Sequence, residues 1–198
     1  MAQLLERTTD QISVYPNRTW DQFKHIQKGL EGTPGVRLFY YEGVVEILMP
    51  GLAHEIFKKI IGYLLETFFF ENQIKVVPTG SVTQEQEGEA SAQADESYCI
   101  GEAKPIPDLA IEVIFTSGST TKLKRYQALG VPEVWFWEDG ALSLYHLRQR
   151  GYVQVDQSEI PELAGLDLDL FCRCVLIGET DWLEAVRTFK QGIGQSRG

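Results

Sequence analysis

The segment Pro107-Asp108-Leu109-Ala110-Ile111-Glu112-Val113-Ile114-Phe115 sets the strictest condition on how this chain can fold. It reads as a β-strand, and side chains on a strand alternate between its two faces. Asp108, Ala110, Glu112 and Ile114 share one face, while Leu109, Ile111, Val113 and Phe115 fill the other. An ionised carboxylate in so apolar a strand is costly unless something pairs with it. A divalent cation or a lysine meets that demand, which makes Glu112 the first candidate for chemistry. Asp108 is the second, although a residue following Pro107 also suits a turn.

Another acid lies upstream. Residues 95–100 and 107–114 read as an antiparallel hairpin closed by residues 101–106, and a symmetric register sets Asp95 opposite Glu112. Directly opposed residues have Cβ atoms roughly 5 Å apart. Two carboxylates that close repel, so either one has a raised pKa or both share a cation. Oxygen-only ligands favour Mg²⁺ or Mn²⁺ over zinc. Lys122 follows Thr116-Ser117-Gly118-Ser119-Thr120 in the first turn of a short helix, which Ser119 or Thr120 is placed to cap, and from there it can fold back towards the acids. Two carboxylates and a lysine are the parts that metal-assisted phosphodiester hydrolysis requires.

The pieces Ala94-Asp95-Glu96, Pro107-Asp108-Leu109 with Glu112-Val113, Lys122-Leu123 with Tyr126, and Gly130-Val131-Pro132-Glu133-Val134-Trp135 carry a resemblance. On them the chain resembles the PD-(D/E)XK nuclease superfamily, in its Uma-type restriction-endonuclease branch, and the resemblance extends over most of the sequence. It implies an α+β, restriction-endonuclease-like fold in which helices flank a mixed central β-sheet. It also implies a catalytic set of Asp95, Glu112, Lys122 and Asp108, with Asp95 and Glu112 as metal ligands. His54 and Glu55, on the helix that leads into the site, and Tyr126, one turn from Lys122, are implied accessories. Lys124 and Arg125 would contact DNA, and a homodimer would suit cutting of duplex. Ala94 stands where the branch has proline, Ile114 where the superfamily has lysine, and Thr121 where an acid often precedes the helical lysine. The branch commonly carries its lysine on the helix, which gives that role to Lys122.

Composition bounds these readings. A chain of 198 residues with 43% hydrophobic and 11% aromatic content can bury one core, so a single domain over 1–198 is expected. An N-terminal arm (about 1–18) and a flexible tail (192–198) would flank it. No apolar run approaches a membrane span, because Lys58, Lys59 and Glu66 interrupt residues 56–70. The N-terminus lacks a signal-peptide pattern, and three cysteines argue against a disulfide framework and for the cytoplasm. Cys172 and Cys174 have no nearby histidine and read as core or helix-surface thiols. The net charge of −10 opposes nucleic-acid binding, since phosphate contacts need a positive surface. A catalytically inactive nuclease-fold module, acting in assembly or regulation, is therefore the alternative to a DNA endonuclease.

Along the chain, Thr19 is placed to cap a helix reaching about Leu30, and residues 36–41 and 44–49 form a hairpin around Glu42-Gly43. Ile56, Ile60, Leu64 and Phe68 recur every fourth residue in a long core helix over 54–71. Residues 74–77 and 81–84 read as strand. The acid-rich stretch 85–96 reads as an exposed loop. Val134–Trp137 is a buried strand, and Asp139-Gly140 turns it into a hairpin with 141–147. Exposed apolar side chains near Leu142, Leu144 and Tyr145 would offer a dimer face. A strand over 152–155 and an amphipathic helix over 181–191 complete the expected elements.

Overall fold

The computed structural model of the chain describes residues 9–115 and 119–195. β1 (Gln11–Tyr15) pairs antiparallel with a later strand, so the expected arm is in part a sheet edge. α1 (Trp20–Gly29) starts at Thr19, whose Oγ1 accepts the Gln22 N–H at 3.2 Å while the Gln22 side chain accepts the Thr19 N–H at 3.1 Å. This reciprocal pair satisfies two otherwise orphaned donors. β2 (Arg37–Tyr41) and β3 (Val44–Met49) join through Glu42 and Gly43, which both adopt positive φ, as a tight hairpin turn demands. α2 (Leu52–Glu71) follows, with its apolar stripe buried.

Next come β4 (Val76–Pro78), β5 (Gln84–Gln86), β6 (Ala90–Ala92), β7 (Glu96–Ile100) and β8 (Leu109–Ile114). Stretch 85–96 is thus no exposed loop. It holds most of the β5–β6 hairpin and leads into β7; Ala90, Ser91 and Ala92 are fully buried, and only residues 85–89 face solvent. Three small residues hidden among glutamates gave no periodic apolar signal. α3 (Ser119–Leu129), β9 (Glu133–Glu138), β10 (Ala141–Arg148), β11 (Gly151–Val155), α4 (Leu168–Gly178) and α5 (Trp182–Gln195) complete the strands and α-helices among the described residues, with a 3-10 turn at Pro161–Leu163. Helix α5 carries part of the segment expected as a loose tail. The turn expected at 116–118 lies outside the described residues.

The strands form two sheets, ordered β1-β3-β2-β6-β5 and β11-β10-β9-β8-β7-β4. The larger sheet is mixed, because β8 and β9 run parallel while its other pairs are antiparallel. One of its faces packs on α2, α4 and α5 through Leu109, Ile111, Val113, Trp135 and Phe171. The other buries Ala110, Ile114, Val134 and Phe136 against α3 and the smaller sheet. β8 is therefore covered on both faces, which explains its nearly unbroken apolar run. On its outer face the smaller sheet carries α1, through Phe23, Leu38, Tyr40 and Val45. Leu144 lies in the core and Tyr145 packs on Phe136, with ring centroids 5.4 Å apart. The dimer face expected at Leu142, Leu144 and Tyr145 is thus turned inward, because Leu142 and Leu144 pack into the core on the α2, α4 and α5 side and Tyr145 into the core on the α3 side.

Candidate active site

The β7–β8 ladder pairs Glu96 with Ile111 and Ser97 with Ala110. Continued by one residue, this register sets Asp95 against Glu112, and both side chains are buried. Asp95 closes the ladder: its N–H donates to Ile111 O at 3.0 Å, and its Oδ2 accepts the Val113 N–H at 2.6 Å. Its Oδ1 pairs with Arg37 of β2 and lies 2.8 Å from His54 Nε2, at the start of α2. Glu55, one residue on, holds the other side of the Arg37 guanidinium through Oε1 at 3.0 Å.

Glu112 is served by α3 alone. Lys122 Nζ donates to its Oε2 at 3.1 Å and the Tyr126 hydroxyl donates to its Oε1. One helical turn separates the two donors, so a single helix face grips both carboxylate oxygens. Burial pushes the Glu112 pKa up, but the Lys122 charge, the Tyr126 hydrogen bond and the nearby Arg125 charge outweigh it and hold the group below its ordinary value. The raised pKa expected from two opposed acids is therefore not found at Glu112, because each acid has its own cation. Burial and the adjacent Glu112 charge hold the Tyr126 hydroxyl far above its ordinary range.

Three residues singled out from the sequence stand apart. Asp108 accepts the Ile100 N–H at 2.7 Å and pairs with Lys104 at 2.7 Å, so it clamps the 101–106 turn. Four residues from Glu112 along an extended strand, it sits about 13 Å away and does not join the site. Arg125 is buried under α3, stacked 4.3 Å over the Phe39 ring with Glu46 at 3.5 Å, which withdraws it from any nucleic acid. Lys124 is exposed, but an offset of two residues turns it away from the helix face that carries Lys122.

Two site residues carried no such reading from the sequence. Arg37 opens an otherwise apolar strand, a signal of the kind that marks Glu112. Asp10 precedes β1 and has no comparable signal. Its Oδ2 lies 2.9 Å from His54 Nδ1 and its Oδ1 accepts the Gly51 N–H at 2.8 Å.

This arrangement, an α+β fold with opposed acids at one end of a mixed sheet and a lysine on the following helix, is that of a restriction-endonuclease-like protein. The profile of the Uma2 family, described as "Putative restriction endonuclease", matches residues 20–171. The chain belongs to that family. A crystal structure titled as a putative nuclease belonging to DUF820, from Anabaena variabilis, superimposes with a TM-score of 0.53 at 18% identity, covering 74% of this chain and 90% of the other. That likeness shows the fold. No curated protein matches the sequence.

Proposed function

We propose that the chain is a metal-dependent endonuclease that hydrolyses DNA phosphodiester bonds. The convergence of Asp95, Glu112 and Lys122 carries this reading. An ionised carboxylate has about four acceptor positions. Glu112 uses one on each oxygen and Asp95 uses three in all, so both retain capacity facing the same strand pair. Among the described residues no group of three metal-ligating side chains exists. Mg²⁺ and Mn²⁺ sites that rest on one or two carboxylates, completed by water and phosphate oxygens, need no third. Asp95 and Glu112 would hold the ion, which when bound lowers the pKa of water and polarises a phosphoryl oxygen.

The protein's own contribution follows from its contacts. Arg37, His54 and the Val113 N–H fix Asp95 in one orientation. Tyr126 keeps Glu112 in place when Lys122 swings its ammonium from Oε2 to a non-bridging phosphate oxygen, where it stabilises developing charge. A second copy of the chain would pair through β1, an uncharged edge strand with Val14 and Tyr15 exposed, the kind of edge that templates strand addition. Light scattering on a Val14→Lys variant tests that surface. Three free cysteines suit a reducing cytoplasm, and no helix among the described residues is long and apolar enough to cross a membrane.

Plasmid DNA incubated with Mg²⁺ or Mn²⁺ is the direct test: the wild type nicks or linearises it, and Glu112→Gln does not. Pairing of both acids with protein cations, Arg37 and Lys122, favours a second reading, that of an inactive module whose acids only hold α3 and β2 in place. Absence of cleavage with either ion, over duplex and single-stranded DNA, selects that reading.

A further inference from the structure

The family profile begins at residue 20, yet the chain before it reaches the site. β1 runs along β3 with Gln11 opposite Met49, which brings Asp10 beside Gly51 at the start of α2. The approach is close enough that a Cβ on Gly51 would sit 2.7–2.9 Å from Thr9 backbone atoms. Only glycine permits that crossing. There Asp10 divides its carboxylate between two tasks. Oδ1 accepts the Gly51 N–H at 2.8 Å, and Oδ2 meets His54 Nδ1 at 2.9 Å. The opposite ring nitrogen, Nε2, lies 2.8 Å from Asp95 Oδ1. All three side chains are nearly or fully buried.

We infer that Asp10 is a positioning residue of the site: it fixes the orientation of His54 and the hydrogen on its Nδ1, and through His54 the placement of Asp95. Ionised, Asp10 only accepts, so Nδ1 carries hydrogen towards it; Asp95 likewise only accepts, so Nε2 carries the ring's other hydrogen. Burial pushes the Asp10 pKa up, but the hydrogen bonds from His54 and the Gly51 N–H, with the charges of His54 and then Lys122, outweigh it and hold the group below its ordinary value. Partners that orient a ligand or its neighbour in this way change affinity or activity by about 10–100-fold when removed. The inference rests on the nuclease reading for its consequence, but its geometry is testable alone.

Asp10→Asn is the informative variant. The Gly51 N–H fixes the amide oxygen, so the NH₂ faces His54 Nδ1, which must then accept and so lacks its hydrogen, while Nε2–H still donates to Asp95. The chain has three histidines, so ¹⁵N-histidine labelling gives three ring patterns, and the one lost in His54→Gln is His54. In the wild type its Nδ1 should resonate as a hydrogen-bearing nitrogen, and in Asp10→Asn as a hydrogen-free one. Plasmid cleavage by Asp10→Asn should fall about tenfold or more in kcat, with little change in KM. Should Asp10→Asn not fold, Asp10→Ser keeps an acceptor near Gly51 and loses the reach to His54, and the same results are expected of it. A His54 ring pattern indifferent to both changes overturns the inference, as does a shifted ring with wild-type cleavage. If the wild type cuts no DNA, the nuclease reading fails and the ring resonances alone decide the role of Asp10.

Discussion

Two fully buried glutamates on neighbouring parallel strands show what separates a site from a structural pin. Glu133 opens β9 and Glu112 stands near the end of β8, at opposite ends of the same sheet. Glu133 meets four groups: Trp135 Nε1 and Ser158 Oγ at 2.7 Å on one oxygen, the Glu159 N–H at 2.9 Å and His146 Nδ1 at 3.1 Å on the other. Its acceptor positions are filled, mostly by fixed neutral dipoles, and it ties the 156–161 segment to the sheet. Glu112 meets two donors, one of them a lysine on a flexible stem, and keeps a position open on each oxygen. Burial is common to both. Unspent acceptor capacity and a movable cation distinguish Glu112.

The largest separation between the two should appear in catalysis. Lys122→Met should lower DNA cleavage by at least about 100-fold, the scale of losing one preorganised charge donor. Glu133→Gln, scored per folded molecule, should stay within a few-fold of wild type. Equal losses in a nicking assay would collapse the distinction.

Stability sharpens it from the other side. Lys122→Met leaves Glu112 buried without its ion partner, which should cost about 3–5 kcal/mol. Adding Glu112→Gln should recover most of that in urea unfolding, because it removes the uncompensated charge. A double variant no more stable than Lys122→Met would mean that the lysine stem, not the charge pair, supplies the stabilisation. For Glu133→Ala the donors themselves are stranded, at about 1–3 kcal/mol for each left unsatisfied. A net loss of about 2–4 kcal/mol is expected after water re-enters, with no rescue by any single partner change.

The smallest expected effect is in acid. Glu112 has a folded-state pKa below its unfolded one, so its contribution is fully present above the unfolded value of about 4.3 and disappears as pH falls through the lower folded value. Wild-type stability should decline over that range. Glu112→Gln should lose part of that slope, a smaller difference than either loss above. Parallel acid limbs for the two proteins, followed by circular dichroism, would show that Glu112 is not held ionised by Lys122.

Much of the scaffold was legible in the order of residues alone. Period-two alternation marked β8, fourfold spacing marked α2, Thr19 and Asp139-Gly140 marked a cap and a turn, and symmetry about 101–106 was enough to set Asp95 against Glu112. These signals are local: each depends on backbone geometry and on neighbours a few residues away. The folded structure alone decided which charge meets which. Asp108 and Asp95 look alike in sequence, yet Lys104 and Ile100 take the first into a turn while Arg37 and His54 hold the second. Arg125 and Lys122 lie on one helix three residues apart, yet the smaller sheet buries Arg125 over Phe39 and leaves Lys122 at Glu112. Asp10 enters only because β1 crosses Gly51. A buried charge must be neutralised through space, and chain order does not reveal which distant strand or helix will supply the counter-charge.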